Sequence, residues 1–171
     1  MQWWWCVAMI LRYGAARPIL KALAGPEVPE GWQGGLPFAY HVGPGPAEVK
    51  LDVDMDYAIR PIWNVMATIR GHVEPDQWIL MGNHRDAWTY GAVDPNSGST
   101  TMLQTARALS AAMKAGWKPR RSILLASWDG EEYGLVGSTE WGEHHAKEIL
   151  QKCVMVLNVD SAVSGPNLNI D

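Results

Sequence analysis

The hydrophobic pattern at the start of the chain is helical and soon gives way to loop-forming residues. The spacing of Ile19, Leu20 and Leu23 predicts a short helix over residues 13–24, which the following Gly-Pro pair ends. Residues 25–46 are rich in glycine and proline, so they predict irregular loop structure and a domain boundary.

Short apolar runs that predict strands follow this loop region. Residues 49–57 alternate apolar and polar positions, which predicts a half-exposed strand, and residues 64–70 predict a second one. Three continuously apolar runs are typical of strands buried on both faces, and residues 168–171 predict the start of a further strand. The three buried strands are expected at residues 78–82, 123–128 and 154–159.

Two helical patterns separate the three buried strands. Apolar residues recur at helical spacing over residues 97–115, with Ser97 or Ser99 as the expected cap and a glycine at the end. Residues 137–152 predict one continuous helix, because aromatic and apolar side chains recur at steps of four. Since strands alternate with helices from residue 78 onward, the pattern predicts an α/β fold with a mostly parallel, twisted sheet and helices on both faces.

Composition and charge narrow the class of protein. Hydrophobic residues make up 47% of the chain, which is ample for a packed core and excludes wholesale disorder. The formal net charge of −4 argues against a nucleic-acid partner, because phosphate binding needs clustered lysine and arginine. The two cysteines, Cys6 and Cys153, define neither a disulfide framework nor a thiolate metal site, so they leave the compartment open.

Residues 1–11 do not fit the rest of the pattern. Their apolar run is about half the length that a bilayer-crossing helix needs, and they lack the basic stretch and cleavage site of a signal peptide. Two interpretations remain open, namely a buried helix or strand and a non-native start on a truncated gene.

Histidine and carboxylate side chains follow the predicted buried strands. Because the carboxyl ends of strands in open α/β sheets gather functional residues, these side chains are expected to converge on one edge of the sheet. They are His84 and Asp86 after the first buried strand, Asp94 in the loop before the next helix, Asp129, Glu131 and Glu132 after the second strand, and Asp160 after the third.

Such a group of carboxylates needs a cation. Unpaired carboxylates in one place repel one another and bind protons unless a positive charge neutralises them. A histidine with carboxylates and no cysteine suits zinc, with cobalt and manganese as substitutes. The arrangement therefore predicts a metal site.

Each of these residues also has a structural interpretation. A single histidine such as His84 is more often a hydrogen-bonded loop residue, and Glu131 and Glu132 can open a helix. Asp160 can cap a helix, and Asp94 can open a turn. Their joint placement at successive strand ends favours the metal site. The remaining histidines are expected to be surface or packing residues, namely His41, His72, His144 and His145.

Residues 62–171 contain five distinctive strings, namely NVMATIRG, GNHRDAW, GAVDPNSG, GWKPRRSILLASWDGEEYGLVGSTEWGE and LNVDS. Through these strings, residues 62–171 resemble the catalytic domain of the glutamate carboxypeptidase II and transferrin receptor-like family of zinc peptidases. Residues 12–48 resemble the end of the protease-associated domain that precedes it, and residues 1–11 match neither. The expected organisation is an unassigned apolar start at 1–11, a domain remnant and linker at 12–48, and the N-terminal part of a catalytic domain at 49–171.

The resemblance implies a role for each matched residue. His84 and Asp160 are expected to ligate one zinc ion, Asp94 to bridge two, and Glu132 to ligate the second. Glu131 is expected to be the general base, which takes a proton from the attacking water and hands it to the leaving amine.

The resemblance also implies supporting residues. Asp86 is expected to orient the histidine ligand from behind, and Asp94–Pro95 is a candidate cis peptide. Glu140 and Glu143 resemble ligands of a structural calcium ion whose other ligands are expected upstream of this chain.

The implied activity is that of a two-zinc exopeptidase on peptides or N-acylated dipeptides, as a carboxypeptidase or an aminopeptidase. A histidine for the second zinc and a helical domain that makes the parent a homodimer are both expected beyond Asp171. The chain is therefore expected to be a truncated part of its parent protein, and it is expected to have weak activity or none in isolation. A non-catalytic, receptor-like member is the alternative, which the presence of all the matched zinc ligands and the base disfavours. Family members are typically membrane-anchored or exported, but nothing in this chain assigns a compartment.

Overall fold

The structure, a computed structural model, describes residues 13–54 and 56–163. It separates into two units, one ending at Ala58 and the other beginning at Ile59. None of the helices within the described ranges is long and apolar enough to cross a membrane. The strand predicted at residues 168–171 and the apolar start at residues 1–11 lie outside the described residues.

The first unit contains one helix and a small hairpin-like pair of strands. Helix α1 (Tyr13–Ala22) confirms the first helical prediction, while β1 (Ala24–Glu27) and β2 (His41–Gly43) pair antiparallel. The expectation of purely irregular structure over residues 25–46 was therefore wrong in part. Gly25 has a positive φ of 85°, and a Cβ there would lie 2.9 Å from the Cα of Gly43, so these glycines allow the two strands to approach.

The strand predicted at residues 49–57 is not formed in the described part of this segment. Residues 49–54 and 56–57 have no regular structure, and Val49 and Tyr57 are 69% and 79% exposed. The prediction was wrong because an alternating pattern stabilises a strand only when a neighbouring strand and a buried face receive it.

The second unit is built on a four-stranded sheet with the order β3-β5-β4-β6. The long central strand β4 pairs parallel with both β5 and β6, and β3 pairs antiparallel with β5. This confirms the mostly parallel sheet, although β4 extends beyond the predicted residues 78–82 at both ends. The expected burial of the third strand was wrong, because β6 is an edge strand within the described residues and its Val154 and Val156 are 54% and 60% exposed. The strands are β3 (Val65–Ile69), β4 (Glu74–His84), β5 (Arg121–Trp128) and β6 (Cys153–Asn158).

Three helices accompany this sheet. Helix α2 (Asn96–Lys114) confirms the prediction between the first two buried strands, but the expected single helix at 137–152 is two helices, α3 (Val136–His144) and α4 (Ala146–Lys152). They separate at His145, whose ψ of 14° leaves the helical range and whose amide and ring Nδ1 both lie within hydrogen-bond distance of the Trp141 carbonyl.

The helices cover both faces of the sheet, as the sequence predicts. On one face Leu80, Leu124 and Trp128 form the buried core, and the Trp128 ring lies 5.4 Å from the ring of Trp141 in α3. On the other face, Met102 of α2 shares a groove with residues of β3 and β5. Consecutive side chains of a strand point to opposite faces of the sheet. The continuous apolar run of β5 therefore supplies apolar residues to both faces.

Candidate metal centre

The last residue of β4, His84, lies at the centre of a group of ligand-type atoms. Its Nε2 is 2.9 Å from Oδ1 of Asp94 and 3.1 Å from Oδ1 of Asp160. One ligand atom from each of these residues lies within 4.8 Å of the other two, and no other such group occurs in residues 13–54 and 56–163. Tetrahedral zinc with bonds of about 2.0–2.1 Å has ligand atoms roughly 3.3 Å apart, so the donor set and its spacing fit zinc.

Asp94 is brought to His84 by a loop that is fixed to the end of β4. The Asp94–Pro95 peptide bond is cis, which confirms the sequence prediction. The fully buried Asn83 donates from Nδ2 to the Pro95 carbonyl and to Oγ of Ser99, each at 3.0 Å. The Ser99 hydroxyl in turn donates to the carbonyl of His84 at 2.9 Å. The loop and the start of α2 are thus attached to the strand that carries the histidine.

The serines expected to cap α2 serve this attachment instead. The helix begins at Asn96 with no side-chain cap, so the capping prediction was wrong. Ser97 donates from Oγ to the Val93 carbonyl and accepts the amide of Ala162 at 2.9 Å. Ser97 therefore connects α2 to the loop before the helix and to the loop after β6, while Ser99 connects the helix to the end of β4.

Asp160 follows β6 and lies against the first turn of α2. A Cβ at Gly98 would overlap the carbonyl oxygens of Val159 and Asp160, so only glycine allows this approach. Sequence reasoning did not single out Gly98. The available signal was a glycine inside a helical pattern, which often marks close packing.

The carboxylate of Asp86 binds the backbone of the loop that follows β5. Its Oδ1 and Oδ2 accept hydrogen bonds from the backbone amides of Glu131 and Glu132, at 3.0 and 3.1 Å. Burial raises the pKa of Asp86, but the amides of Glu131 and Glu132 outweigh it and hold that pKa below its usual range. An ionised Asp86 therefore fixes the two glutamates beside His84.

The same residue also contacts the imidazole. Nδ1 of His84 is 2.9 Å from the backbone oxygen of Asp86 and 3.6 Å from its carboxylate. With its proton on Nδ1 donated to this carbonyl, the ring presents the lone pair of Nε2 toward Asp94 and Asp160, which is the arrangement that a metal ligand needs.

The electrostatics of the group favour bound positive charge. Burial lowers the pKa of His84, which is 3% exposed, but the hydrogen bond to Asp160 and the charges of Asp160, Glu131 and Asp94 outweigh it and raise the pKa above its usual value. Burial raises the pKa of Glu131, and the charges of Asp160 and Asp94 raise it further. His84 and Glu131 thus hold a proton more tightly than isolated groups would, and a cation can take that proton's place.

Glu132 lies beside this group without joining it. Its Oε1 accepts the amide of Trp88 at 3.2 Å, and burial followed by the charge of Asp94 raises its pKa. Glu140 and Glu143 are exposed on α3, and no third acid or histidine within the described residues groups with them. The calcium assignment therefore stays a prediction.

Asp129 is part of an ion pair and not of the metal group. Its Oδ2 is 3.0 Å from Nη2 of Arg85 and also accepts the backbone amide of Trp63 at 2.9 Å. Sequence reasoning placed Asp129 with the site carboxylates and did not single out Arg85. The signal was present in the sequence, since Arg85 lies between His84 and Asp86.

A cleft of about 340 Å³ opens beside the group. His84, Glu131 and Asp160 line it together with apolar side chains that include Trp128, Trp141 and Val156. The cleft therefore presents Glu131 and two of the candidate metal ligands, His84 and Asp160, to a space with largely apolar walls.

Comparisons with known proteins agree with this arrangement. Residues 64–170 match the family model of peptidase family M28. A probable glutamate carboxypeptidase (VP8) of Zea mays is 48% identical over 151 residues, which cover 88% of this chain and 21% of the relative. The aminopeptidase NAALADL1 of Mus musculus is 44% identical over 158 residues, covering 86% and 21%. The chain thus spans about a fifth of the length of the curated relatives it matches.

A solved structure shares the fold. A zinc aminopeptidase from Bacillus subtilis aligns with a TM-score of 0.51 at 24% identity, covering 58% of this chain and 24% of that one. The family match covers more than half of the chain and confirms the resemblance on which the sequence analysis relied. The chain belongs to peptidase family M28 and, within it, to the glutamate carboxypeptidase II-like zinc peptidases.

Proposed function

We propose that this chain carries the metal-binding part of a two-zinc exopeptidase, with Glu131 as general base. The observation that carries the proposal is the convergence of His84, Asp94 and Asp160 on one point at the carboxyl edge of the sheet. The chain spans about a fifth of its relatives, so the activity proposed is that of the protein to which these residues belong.

The proposed ligands divide between two ions. His84, Asp94 and Asp160 would hold the first, and Asp94 and Glu132 would hold the second. The effect of the Asp94 charge on the pKa of Glu132 supports this, because it requires the two carboxylates to be close. When bound, zinc acts as a Lewis acid toward a carbonyl oxygen and makes water a nucleophile at neutral pH.

Glu131 is the residue proposed to move the proton. It lies outside the group of three ligands, and its Oε2 is 3.9 Å from Nδ1 of His84. A pKa raised by burial suits a carboxylate that must accept a proton near neutral pH. Glu131 accepts the proton of the attacking water as the new C–O bond forms, then donates it to the leaving nitrogen as the C–N bond breaks.

The proposed substrates are peptides or N-acylated dipeptides cleaved at a chain end. The relatives' names include both a glutamate carboxypeptidase and an aminopeptidase, and the proposal covers either direction. We also propose that the parent protein is a homodimer and that Glu140 and Glu143 bind a calcium ion. Residues 12–48 are proposed to be a remnant of a protease-associated domain.

Metal analysis of matched variants tests the proposal. The purified chain is expected to retain zinc after dialysis, His84→Ala to lose it, and Glu131→Gln to keep it. The control is His41→Ala, since His41 is not in the metal group. In a hydrolysis assay Glu131→Gln is expected to reduce any zinc-dependent rate by about 10²–10⁴-fold. Equal zinc in the His84→Ala and wild-type chains would contradict the ligand assignment, and full activity in Glu131→Gln would contradict the assignment of the base.

A further inference from the structure

The loop of residues 129–135, here called the base loop, carries Glu131 and Glu132 between β5 and α3. It is a closed turn, in which the amides of Gly134 and Leu135 both donate to the Glu131 carbonyl, at 2.9 and 2.8 Å. Gly130 has a φ of 68° at its start. Because the loop is internally closed, the place of the Glu131 carboxylate depends on how the loop as a whole is tied to its neighbours.

Two acidic side chains tie the base loop to the end of β4. The carboxylate of Asp86 binds the amides of Glu131 and Glu132 in the middle of the loop. At the first residue of the loop, Asp129 Oδ2 pairs with Nη2 of Arg85 at 3.0 Å. The loop is therefore held at two points by two consecutive residues that directly follow the histidine ligand.

The Arg85–Asp129 pair has the geometry of a fixed clamp. Nη1 of Arg85 donates to the Ser127 carbonyl at 2.9 Å, and Nη2 also donates to the Trp63 carbonyl. The Asp129 carboxylate accepts the amides of Trp63 and Gly130, at 2.9 and 3.1 Å. The two side chains are 34% and 19% exposed, so the pair is partly shielded from water. A guanidinium fork with several acceptors is more rigid than a single charge contact.

We propose that Arg85 is a positioning residue for Glu131, which acts by holding Asp129 and thereby the start of the base loop. The inference rests on the proposed function, in which Glu131 is the base. Within the described residues, the side chain of Arg85 bonds to Trp63, Ser127 and Asp129 and to neither Asp94 nor Asp160. Its loss therefore displaces the loop through Asp129 and leaves the group of His84, Asp94 and Asp160 in place.

Amide hydrogen exchange, read residue by residue by NMR on the full chain, tests this directly. Arg85→Gln is expected to accelerate exchange at Glu131 and Glu132 by about tenfold or more, because their amides bond to Asp86 only while the loop is in place. Exchange at Leu80 and Leu124 in the core is expected to change little. Affinity for one equivalent of cobalt(II) at His84, Asp94 and Asp160, measured by absorption titration, is expected to stay within about threefold of wild type, below the loss that follows when a direct support of a ligand is removed.

Two further variants separate positioning from general stability. Arg85→Lys keeps the charge and one donor, so it is expected to restore part of the protection at Glu131 and Glu132. Arg120→Gln is the matched control, because it breaks an arginine–carboxylate pair at the opposite end of the same strands, with Glu74. It is expected to leave the base loop unchanged.

Three results would overturn the inference. They are unchanged exchange at Glu131 and Glu132 in Arg85→Gln, an equal acceleration throughout β4 and β5, and no difference between the lysine and glutamine variants. A wild-type chain that binds no cobalt would count against the proposed function, while the exchange comparison would still decide the role of Arg85.

Discussion

The two ends of the β4–β5 strand pair both carry acidic and basic side chains, but they balance them differently. At the amino end, Glu74 receives Nη2 of Arg120 at 2.9 Å and Nε of Arg121 at 3.2 Å, and the Arg120 side chain is 64% exposed. At the carboxyl end, His84 is 3% exposed and has carboxylates on both ring nitrogens. At the amino end, Arg120 and Arg121 neutralise the carboxylate of Glu74 in contact with water. At the carboxyl end, the carboxylates carry more negative charge than the imidazole of His84 and the guanidinium of Arg85 can balance.

This difference shows why residue types alone do not define a site. A carboxylate that is paired with two arginines, one of them largely exposed, needs no further cation. A partly buried group with unbalanced charge must bind protons or a cation. We therefore expect changes at the carboxyl end to alter metal binding, and changes at the amino end to leave it unaffected.

The largest effect is expected from His84→Ala. The variant removes the imidazole nitrogen that lies between Asp94 and Asp160. Zinc affinity should therefore fall by more than about 100-fold, which exceeds the loss expected for a residue that only supports a ligand. Competition with a chromophoric chelator measures this. An affinity within tenfold of wild type would break the comparison, because the carboxyl end would then not depend on its histidine.

A smaller effect is expected from Gly98→Ala. The added methyl overlaps the carbonyls of Val159 and Asp160, so α2 and the end of β6 must separate. Overpacking of this kind costs about 1–3 kcal/mol of unfolding free energy, and displacing Asp160 should weaken zinc binding as well. Denaturant titration and zinc competition report the two effects. The control is Gly116→Ala, where no atom lies within 4 Å of the new methyl although φ is positive, so metal affinity should not change.

The pH dependence of stability should have opposite signs at the two ends. In the metal-free chain the pKa values of His84, Glu131 and Glu132 are raised, so their contribution is present at low pH and is lost as the pH rises through those raised values, above the ordinary 4.5 and 6.5. The pKa of Glu74 is lowered, chiefly by its hydrogen bond with Arg120, so its contribution is present above 4.5 and is lost as the pH falls.

Thermal unfolding in chelator between pH 4 and pH 8 tests these signs. From pH 6 to pH 8 the metal-free Tm should fall, and excess zinc should reverse the trend because binding requires deprotonated ligands. A metal-free Tm that rises over this range, or a zinc stabilisation that shrinks, would contradict the charge imbalance at the carboxyl end.

The smallest effect is expected from Arg120→Gln. Arg120 is largely exposed and Glu74 keeps its bond with Arg121, so the loss of this pair should lower the Tm only slightly and leave zinc affinity unchanged. High salt should remove even the small change in Tm, since exposed pairs are screened. A clear loss of zinc in this variant would show that the two ends are coupled through the strands.

Much of this arrangement could be predicted from the sequence, because strong local patterns coincide with it. The buried strands β4 and β5, α2 and the convergence of His84, Asp94 and Asp160 follow from apolar runs and from the parallel order of strands. The burial of β6 was predicted wrongly, because an apolar run does not show that its strand lies at the edge of the sheet. The break at His145 could not be predicted, since it depends on one residue's backbone conformation and a contact with Trp141. The false strand at residues 49–57 had the correct period but no neighbouring strand in the structure.

The pairing of Asp129 shows the same limit at the site. A carboxylate after a strand looks like a ligand in sequence, and only the position of Arg85 beside it assigns the charge elsewhere. Local pattern reports which residues reach an edge of the sheet. The same pattern does not report which of these residues are neutralised by a neighbouring opposite charge.

The parallel register of β4 and β5, in which Asn83 faces Ser127 and His84 faces Trp128, makes this region intolerant of changes in chain length. Consecutive strand residues alternate between the two faces, so deleting one residue of β4 would exchange the partners of every residue after it. His84 would then take the buried place of Asn83, Arg85 would take the place of His84, and Arg85 and Asp86 would both lose their bonds to the base loop. Homologous chains should therefore accept substitutions here far more readily than insertions or deletions, and length differences between them should fall in the loops after residue 86.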